Sequence, residues 1–256
     1  MIYVGTAAWS IPKIAASHFP DEGSHLERYS KILNAVEINS SFYKDHQPKT
    51  YKRWHESTPL NFKFSVKLNQ RFTHDNNLSI DQNDLIENLK GILELGDKLG
   101  ALLLQFPKSQ KFSSEKMEIF FQTIREVYSG PIALEARNMG WMERDSVELI
   151  TKYNVSKVDA DPEKCPVNLP GEIKYFRLHG SPEIYKSDYS IDYLENLYDE
   201  MKTFKGDVWC IFDNTTFGYA TNNAIEITNR IKGETYERHP RLHGDRATSM
   251  HTIDQY

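Results

Sequence analysis

The stretch Val36-Glu37-Ile38-Asn39-Ser40-Ser41-Phe42-Tyr43 decides the fold. It opens as a short apolar run and turns within a few residues into acids, amides, hydroxyls and aromatic rings. Seven other runs behave in the same way, so that the set covers residues 2–5, 36–39, 62–67, 101–105, 132–135, 156–159, 175–178 and 208–212. At or just after their ends stand Thr6 and Trp9; Glu37, Asn39 and Ser41; Lys67 and His74; Gln105; Glu135 and Arg137; Asp159 and Asp161; Arg177 and His179; and Asp213 and Asn214. Most gaps hold one crossover helix. Eight strand–helix repeats closing on themselves make an α/β chain of the (β/α)8 TIM-barrel class, whose active site lies at the carboxyl ends of the strands.

The helices announce themselves by period. Leu85, Leu89, Ile92, Leu93 and Leu99 fall on one helical face, as do Met117, Phe120, Phe121, Ile124 and Val127. Leu194, Leu197, Tyr198, Met201 and Phe204 repeat the pattern, and so do Ala220, Ala224, Ile227 and Ile231. Asp81, Ser113 with Glu115, and Asp145-Ser146 mark starts. Residues 160–173 hold Pro162, Pro166 and Pro170 and no helical period, so the sixth helix is expected to be missing or very short. Residues 1–233 are read as a single barrel domain. Residues 234–256 are polar and are read as an extended or partly disordered tail.

Composition sets bounds on function. The chain has 256 residues, the usual size of one such barrel, and 39% of them are apolar. A net charge of −5 argues against indiscriminate binding to nucleic acid or anionic membrane. Two cysteines, Cys165 and Cys210, give neither a disulfide framework nor metal spacing. With no signal-peptide pattern and no apolar run long enough to span a bilayer, a cytoplasmic location without membrane contact is expected.

Alternation then decides which polar residues meet. Glu37 and Asn39 share a strand face, as do Glu135 and Arg137, and Arg177 and His179. Charged groups at a barrel axis are costly unless paired. Glu37, Glu135, Lys67, Arg137 and Arg177 supply both signs, so the expectation is a charged mouth rather than an inert plug. Trp9, Phe42, Tyr43, Trp141, Tyr185 and Tyr189 add aromatic surface for stacking on a ring. Gly180 after the seventh strand, and Asn214 to Gly218 after the eighth, resemble the phosphate-binding loops of this fold.

Further motifs extend the first. Gly5-Thr6-Ala7-Ala8-Trp9, Trp54 with Thr58-Pro59, Phe62 through Lys67, and Thr73-His74 recur in order with Leu104-Gln105-Phe106-Pro107, Glu135-Ala136-Arg137 with Trp141, and Arg177-Leu178-His179-Gly180. Phe212-Asp213-Asn214-Thr215 with Gly218, Ala220 and Asn223-Ala224 completes the series. Together with Val36 to Tyr43 they resemble the DUF72 (YecE-like) family, over nearly all of the chain up to Ile231. The departures are Ala7-Ala8 where the family more often has Ser-Gly, and Phe72 where it has Ile. The resemblance implies a TIM barrel similar in shape to the endonuclease IV and xylose isomerase group, and implies no defined reaction.

The residue inventory favours an enzyme acting on a small anionic or phosphorylated substrate by acid–base chemistry without a cofactor. Glu135, His179, Glu37 and Arg177 are the expected catalytic set, with His179 and Glu135 as proton carriers. Thr6, Trp9, Asn39, Tyr43, Lys67, His74, Gln105, Arg137, Trp141, Asp159, Gly180, Tyr185, Asp213 and Asn214 are the expected substrate contacts. Lys67 also has the chemistry of a Schiff-base amine if its Arg neighbours depress its pKa. A divalent metal is the less favoured alternative. Enough carboxylates and histidines are present, but Lys67, Arg137 and Arg177 would repel it, and no HxH or HExxH spacing occurs. Nucleic-acid processing in the manner of endonuclease IV is a second reading, disfavoured by the acidic residues among the surrounding loops. A non-catalytic small-molecule binder is a third. Arg177→Ala and Glu135→Gln are expected to abolish binding or turnover and leave the fold intact.

Overall fold

Each of the eight expected strands forms: β1 (Ile2–Thr6), β2 (Ala35–Ile38), β3 (Lys63–Lys67), β4 (Leu99–Gln105), β5 (Ile132–Glu135), β6 (Val155–Asp161), β7 (Ile173–Leu178) and β8 (Asp207–Phe212). The structure is a computed structural model and describes residues 1–233 apart from Asn76, Asn77, Val167, Asn168 and Pro170. The tail expected over residues 234–256 therefore lies outside the described residues. The strands pair in parallel in the order β1-β8-β7-β6-β5-β4-β3-β2. The chain is a nearly closed TIM barrel with helices on its outside.

Closure between β1 and β2 has an unusual basis. These strands share one parallel bridge, at Ala7 and Glu37. Further down, side chains replace the ladder. Asn34 Nδ2 donates to Ile2 O at 2.9 Å and Val4 N donates to Asn34 Oδ1 at 2.7 Å. Thr6 N donates to the Tyr29 hydroxyl at 2.9 Å, which in turn donates to Ala35 O at 3.1 Å. Gly5 permits the approach, because a Cβ there would lie 2.0 Å from Ala35 O.

The helices are α1 (His25–Ser30), α2 (Pro48–Glu56), α3 (Gln70–Thr73), α4 (Gln82–Ile92), α5 (Ser114–Val127), α6 (Arg144–Lys152), α7 (Ile191–Thr203) and α8 (Tyr219–Lys232). Their starts follow from side chains that accept free backbone N–H groups. Asp81 accepts from Asn83 N and Asp84 N, and Ser190 accepts from Tyr193 N. Ser24 and Glu27 form a reciprocal capping box on α1. Between β6 and β7 the described residues hold no helix, as the prolines there predict.

Some details differ from the sequence reading. Leu99 begins β4 rather than extending the α4 stripe, and Leu93 is exposed. The α6 helix opens at Arg144, ahead of Asp145-Ser146, because Ser146 is drawn inward to donate to Trp141 O at 2.9 Å. The other stripe residues Met117, Phe120, Phe121, Ile124, Leu194, Met201, Ala224 and Ile227 are buried between helices and sheet.

Inside the barrel an apolar layer of Ala101, Leu103, Ala133, Val158, Trp209 and Ile211 forms a floor. Tyr175 stacks on Trp209 with ring centroids 5.8 Å apart and planes at 7°. Its hydroxyl points the other way and donates within bonding distance of Ser65 Oγ (2.8 Å) and Glu37 Oε2 (3.1 Å). Above that hydroxyl the interior becomes ionic.

Candidate active site

Inward parity at the ends of β2, β5, β7 and β8 brings Glu37, Glu135, Arg177, His179 and Asp213 together, as alternation predicts. Arg177 is the hub and is only 1% exposed. It donates from Nη2 to Glu37 Oε1 at 2.8 Å and from Nε to Glu37 Oε2 at 3.0 Å. Nη1 donates to Glu135 Oε2 at 2.9 Å, and Nη2 lies 3.0 Å from Asp213 Oδ2. A planar guanidinium meets several carboxylates in this way because its donors form a fixed fork. Glu37 and Arg177, expected as catalysts, are sealed beneath the others with their polar atoms committed.

His179 and Glu135 stand above them. His179 Nδ1 donates to Asp213 Oδ2 at 3.0 Å, which turns Nε2 toward Glu135 Oε1, 3.6 Å away. Arg137, on the same strand parity as Glu135, donates from Nε to Glu135 Oε1 at 2.6 Å. Burial disfavours the charged form of His179, but the bonds to Asp213 and Glu135 outweigh it and raise its pKa above the ordinary imidazole value. Burial would push Glu135 upward, yet Arg177, His179 and Arg137 hold it well below the ordinary carboxylate value. Asp213 is lowered for the same reasons, chiefly by Arg177 against its burial. The ring thus lies between two carboxylates that favour its charged form.

Over this group lies a cleft of ≈ 480 Å³, including its open mouth. Glu135 and His179 line it, with Arg137, Lys108 and Lys164 as its cations. Tyr185, Ile184, Pro162 and Ala160 supply apolar wall. The Tyr185 ring stands edge-on to His179 at 5.7 Å, with a backbone φ of +68°. Besides Ala160 of β6, Lys108, Lys164, Ile184 and Pro162 are the lining that the sequence reading missed. They sit on loops beyond regular strand parity, and no pattern in the sequence marks them.

On the opposite side of the mouth are Lys67, His74 and Gln105. Lys67 Nζ lies 4.0 Å from the centre of the Phe42 ring. Burial first, and then Arg177, lower its pKa to about 8. Gln105 Nε2 lies 3.4 Å from His74 Nε2, and His74 packs edge-on to Phe42 at 4.8 Å. Burial, Lys67 and Arg137 lower the His74 pKa. Asn39, at the end of β2, has a buried Oδ1 with no hydrogen-bond partner among the described residues. Tyr43 is exposed beside Phe42.

Several expected contacts lie apart from this group. Thr6 faces outward into the β1–β2 seam, where its Oγ1 donates to Ala8 O at 2.6 Å. Trp9 is half-buried against Trp54. Trp141 is a core residue stacked on Phe106 at 4.8 Å. Asp159 points out of the barrel, because Val158 and Ala160 take the inward positions of β6, and it pairs with Lys157 and Lys174. The loops after β7 and β8 are also not an open anion cradle. Gly180 N donates to the Tyr189 hydroxyl at 2.8 Å, Thr216 N to Tyr185 O at 3.1 Å and Ala220 N to Asn214 O at 3.2 Å. The Asn214 side chain donates to Ser187 O and Asn223 Oδ1. Among the described residues no group of three or more His, Cys, Asp or Glu side chains could hold a metal ion.

The ring of motifs that builds this mouth is shared with other proteins. The model of the family described as "Protein of unknown function DUF72" matches residues 3–245. The chain belongs to the DUF72 family. That match runs past Ile231, where the sequence motifs stop, and so takes in part of the polar tail. The UPF0759 protein YunF of Bacillus subtilis (strain 168) is 29% identical over 269 aligned positions, covering 89% of this chain and 93% of YunF. The UPF0759 protein YecE of Escherichia coli (strain K12) is 31% identical over 107 residues; that match spans 42% of this chain and 38% of YecE. A DUF72 family protein from Thermotoga maritima MSB8 superposes with a TM-score of 0.70 at 24% identity, covering 91% of this chain and 99% of that one. Another, from Enterococcus faecalis V583, gives 0.71 at 21% identity, covering 95% and 100%. These structures share the fold.

Proposed function

We propose that this DUF72 barrel is an enzyme acting on a small anionic or phosphorylated substrate by acid–base chemistry at the carboxyl-end mouth. The observation that carries the reading is the cleft's charge balance. Its one carboxylate, Glu135, is held from behind by Arg177 and paired with Arg137, while Arg137, Lys108 and Lys164 line the space and leave it net positive. Such a cleft attracts an anion, and a low-dielectric wall strengthens the attraction.

Within it His179 is the proton donor, since Asp213 and Glu135 favour its charged form against the cost of burial. Asp213 fixes the ring so that Nε2 faces the cleft. Arg137 binds the anionic group, and Tyr185 covers it with an aromatic edge. The carboxylates converge on the Arg177 guanidinium, which occupies the place a dication would need; this supports chemistry without a metal.

Thermal shift against inorganic phosphate, sugar phosphates, nucleotides and a short DNA duplex tests the reading. Small phosphorylated compounds should raise the melting temperature, and Arg137→Ala should remove the effect. A shift from DNA alone would point instead to phosphodiester backbone recognition. An undiminished shift in Arg137→Ala would overturn the assignment of the anion site. Binding with no turnover across a broad substrate panel would make the barrel a container rather than a catalyst.

A further inference from the structure

The buried cations and anions of the mouth do not pair off completely. Glu37, Glu135 and Asp213 are taken by Arg177, Arg137 and His179. Lys67 is left over. It is buried at the inward-facing end of β3, and among the described residues no carboxylate oxygen lies within 4.0 Å of its Nζ. Its Nζ sits 4.0 Å from the centre of the Phe42 ring. That ring is held in place because Ser41 Oγ lies 2.6 Å from Lys67 O and 2.7 Å from Ile38 O, tying the loop after β2 to the end of β3. A lysine kept for ion pairing would have been given a carboxylate; this one is given an apolar cover and a neighbouring guanidinium.

We propose that Lys67 is a nucleophilic amine that forms a Schiff base with a small anionic carbonyl compound, such as a 2-oxo acid or a phosphorylated aldehyde. The inference rests on the reading of the mouth as a small-anion site and names the substrate class. Desolvation and a nearby cation are the two means by which a lysine is made nucleophilic. The groups around it agree. Arg177 opposes its protonation, Glu37, Glu135 and Asp213 favour it from further off, and the balance leaves Lys67 near pKa 8. Its neutral fraction near neutrality therefore exceeds that of a solvated lysine by roughly two orders of magnitude.

In the step itself the Nζ lone pair attacks the carbonyl carbon and the C=O electron pair moves to oxygen. The two amine hydrogens then leave with that oxygen as water, and C=N replaces C=O. No atom changes oxidation state over the pair. The anionic part of the substrate is assigned to Arg137 of the cleft, and the proton for the departing oxygen to His179, whose partners Glu135 and Asp213 also act electrostatically on Lys67.

The test is reductive trapping of the intact protein. Pyruvate or glyoxylate with cyanoborohydride at neutral pH should give an irreversible single adduct, mapped by peptide mass spectrometry to Lys67. It should form on the order of tenfold or more faster than adducts on exposed lysines such as Lys31. Lys67→Met and Lys67→Arg, each checked by melting temperature, should lose it. Random labelling across surface lysines would overturn the proposal. If phosphate still shifts the melting temperature in that case, the anion site stands and Lys67 is merely a buried cation. If Lys67 is trapped equally well by acetaldehyde and no anion shifts the melting temperature, the amine stands and the anion site falls. Should both variants fail to fold, trapping on the wild-type chain still decides.

Discussion

Ala8 has a backbone φ of +86°, in the region that favours glycine, and stands where the family more often has Gly. Its N–H donates to Glu37 O at 2.9 Å and its carbonyl accepts from Thr6, so the conformation is fixed by the bridge between β1 and β2. Ala8→Gly should therefore stabilise the protein by about 1 kcal/mol. Calorimetry should show a rise in Tm of about 2–4 °C, the shift expected for a barrel of this size. Arg177 makes the opposite case. Arg177→Ala leaves Glu37, at 0% exposure, and Glu135 without their main counter-ion. A loss of about 3–5 kcal/mol is expected, so the variant should be markedly destabilised as well as inactive. Glu135→Gln keeps the volume and should lose function with a smaller loss of stability; denaturant melts of the two variants separate these outcomes. The individual residues were legible in the sequence in proportion to how regular their surroundings are. Glu37, Glu135, Arg177 and His179 could be placed because period-two alternation holds to the last residue of their strands. Asp159 could not, since its neighbours Val158 and Ala160 are small apolar residues that fit the barrel interior. Its partners Lys157 and Lys174, which hold it outside, give the only sequence hint.

The strands and the helices with strong apolar stripes were readable because burial of one face contributes most of the stability of both. The loops were not: their backbone groups bond to one another in ways no local pattern encodes. The Gly180 N–H bonded to Tyr189, where a phosphate was expected, is the clearest example. The seam between β1 and β2 is equally invisible from sequence, because Asn34 looks like an ordinary turn residue. It supplies two hydrogen bonds to the β1 backbone. Asn34→Ala should cost about 2–3 kcal/mol, from two lost bonds and the buried groups left behind. In native-state hydrogen exchange the Val4 amide should lose protection while Val66 and Leu102, deep in the continuous ladder, keep theirs. Equal loss at all three would mean that the seam is not a separate unit.

The charged mouth also sets how the stability of the whole barrel depends on pH. His179 has a raised pKa, so its charged form stabilises the fold below the ordinary imidazole value, and that contribution is lost as pH rises through the raised one. Glu135 and Asp213 have lowered values, so theirs is present above the ordinary carboxylate range and lost as pH falls through the lowered ones. Lys67 acts in the reverse sense, destabilising while protonated and relieved as pH rises past about 8. Melting temperature should thus fall toward acid through the carboxylates, while on the alkaline side the His179 contribution declines and Lys67 offsets it above about 8. Asp213→Asn should move the alkaline decline to lower pH, and an unmoved decline would remove His179 as its cause. The seam has a consequence for biosynthesis as well. The strand made first finds its only full-length ladder with β8, the strand made last, and meets β2 through a clasp of side chains. A chain leaving the ribosome can assemble β2 onward as it emerges. It must keep β1 waiting, unpaired along one edge, until residues 207–212 are out. The Asn34 and Tyr29 clasp holds the β2-facing edge of that waiting strand and leaves its β8-facing edge open to a neighbouring nascent chain.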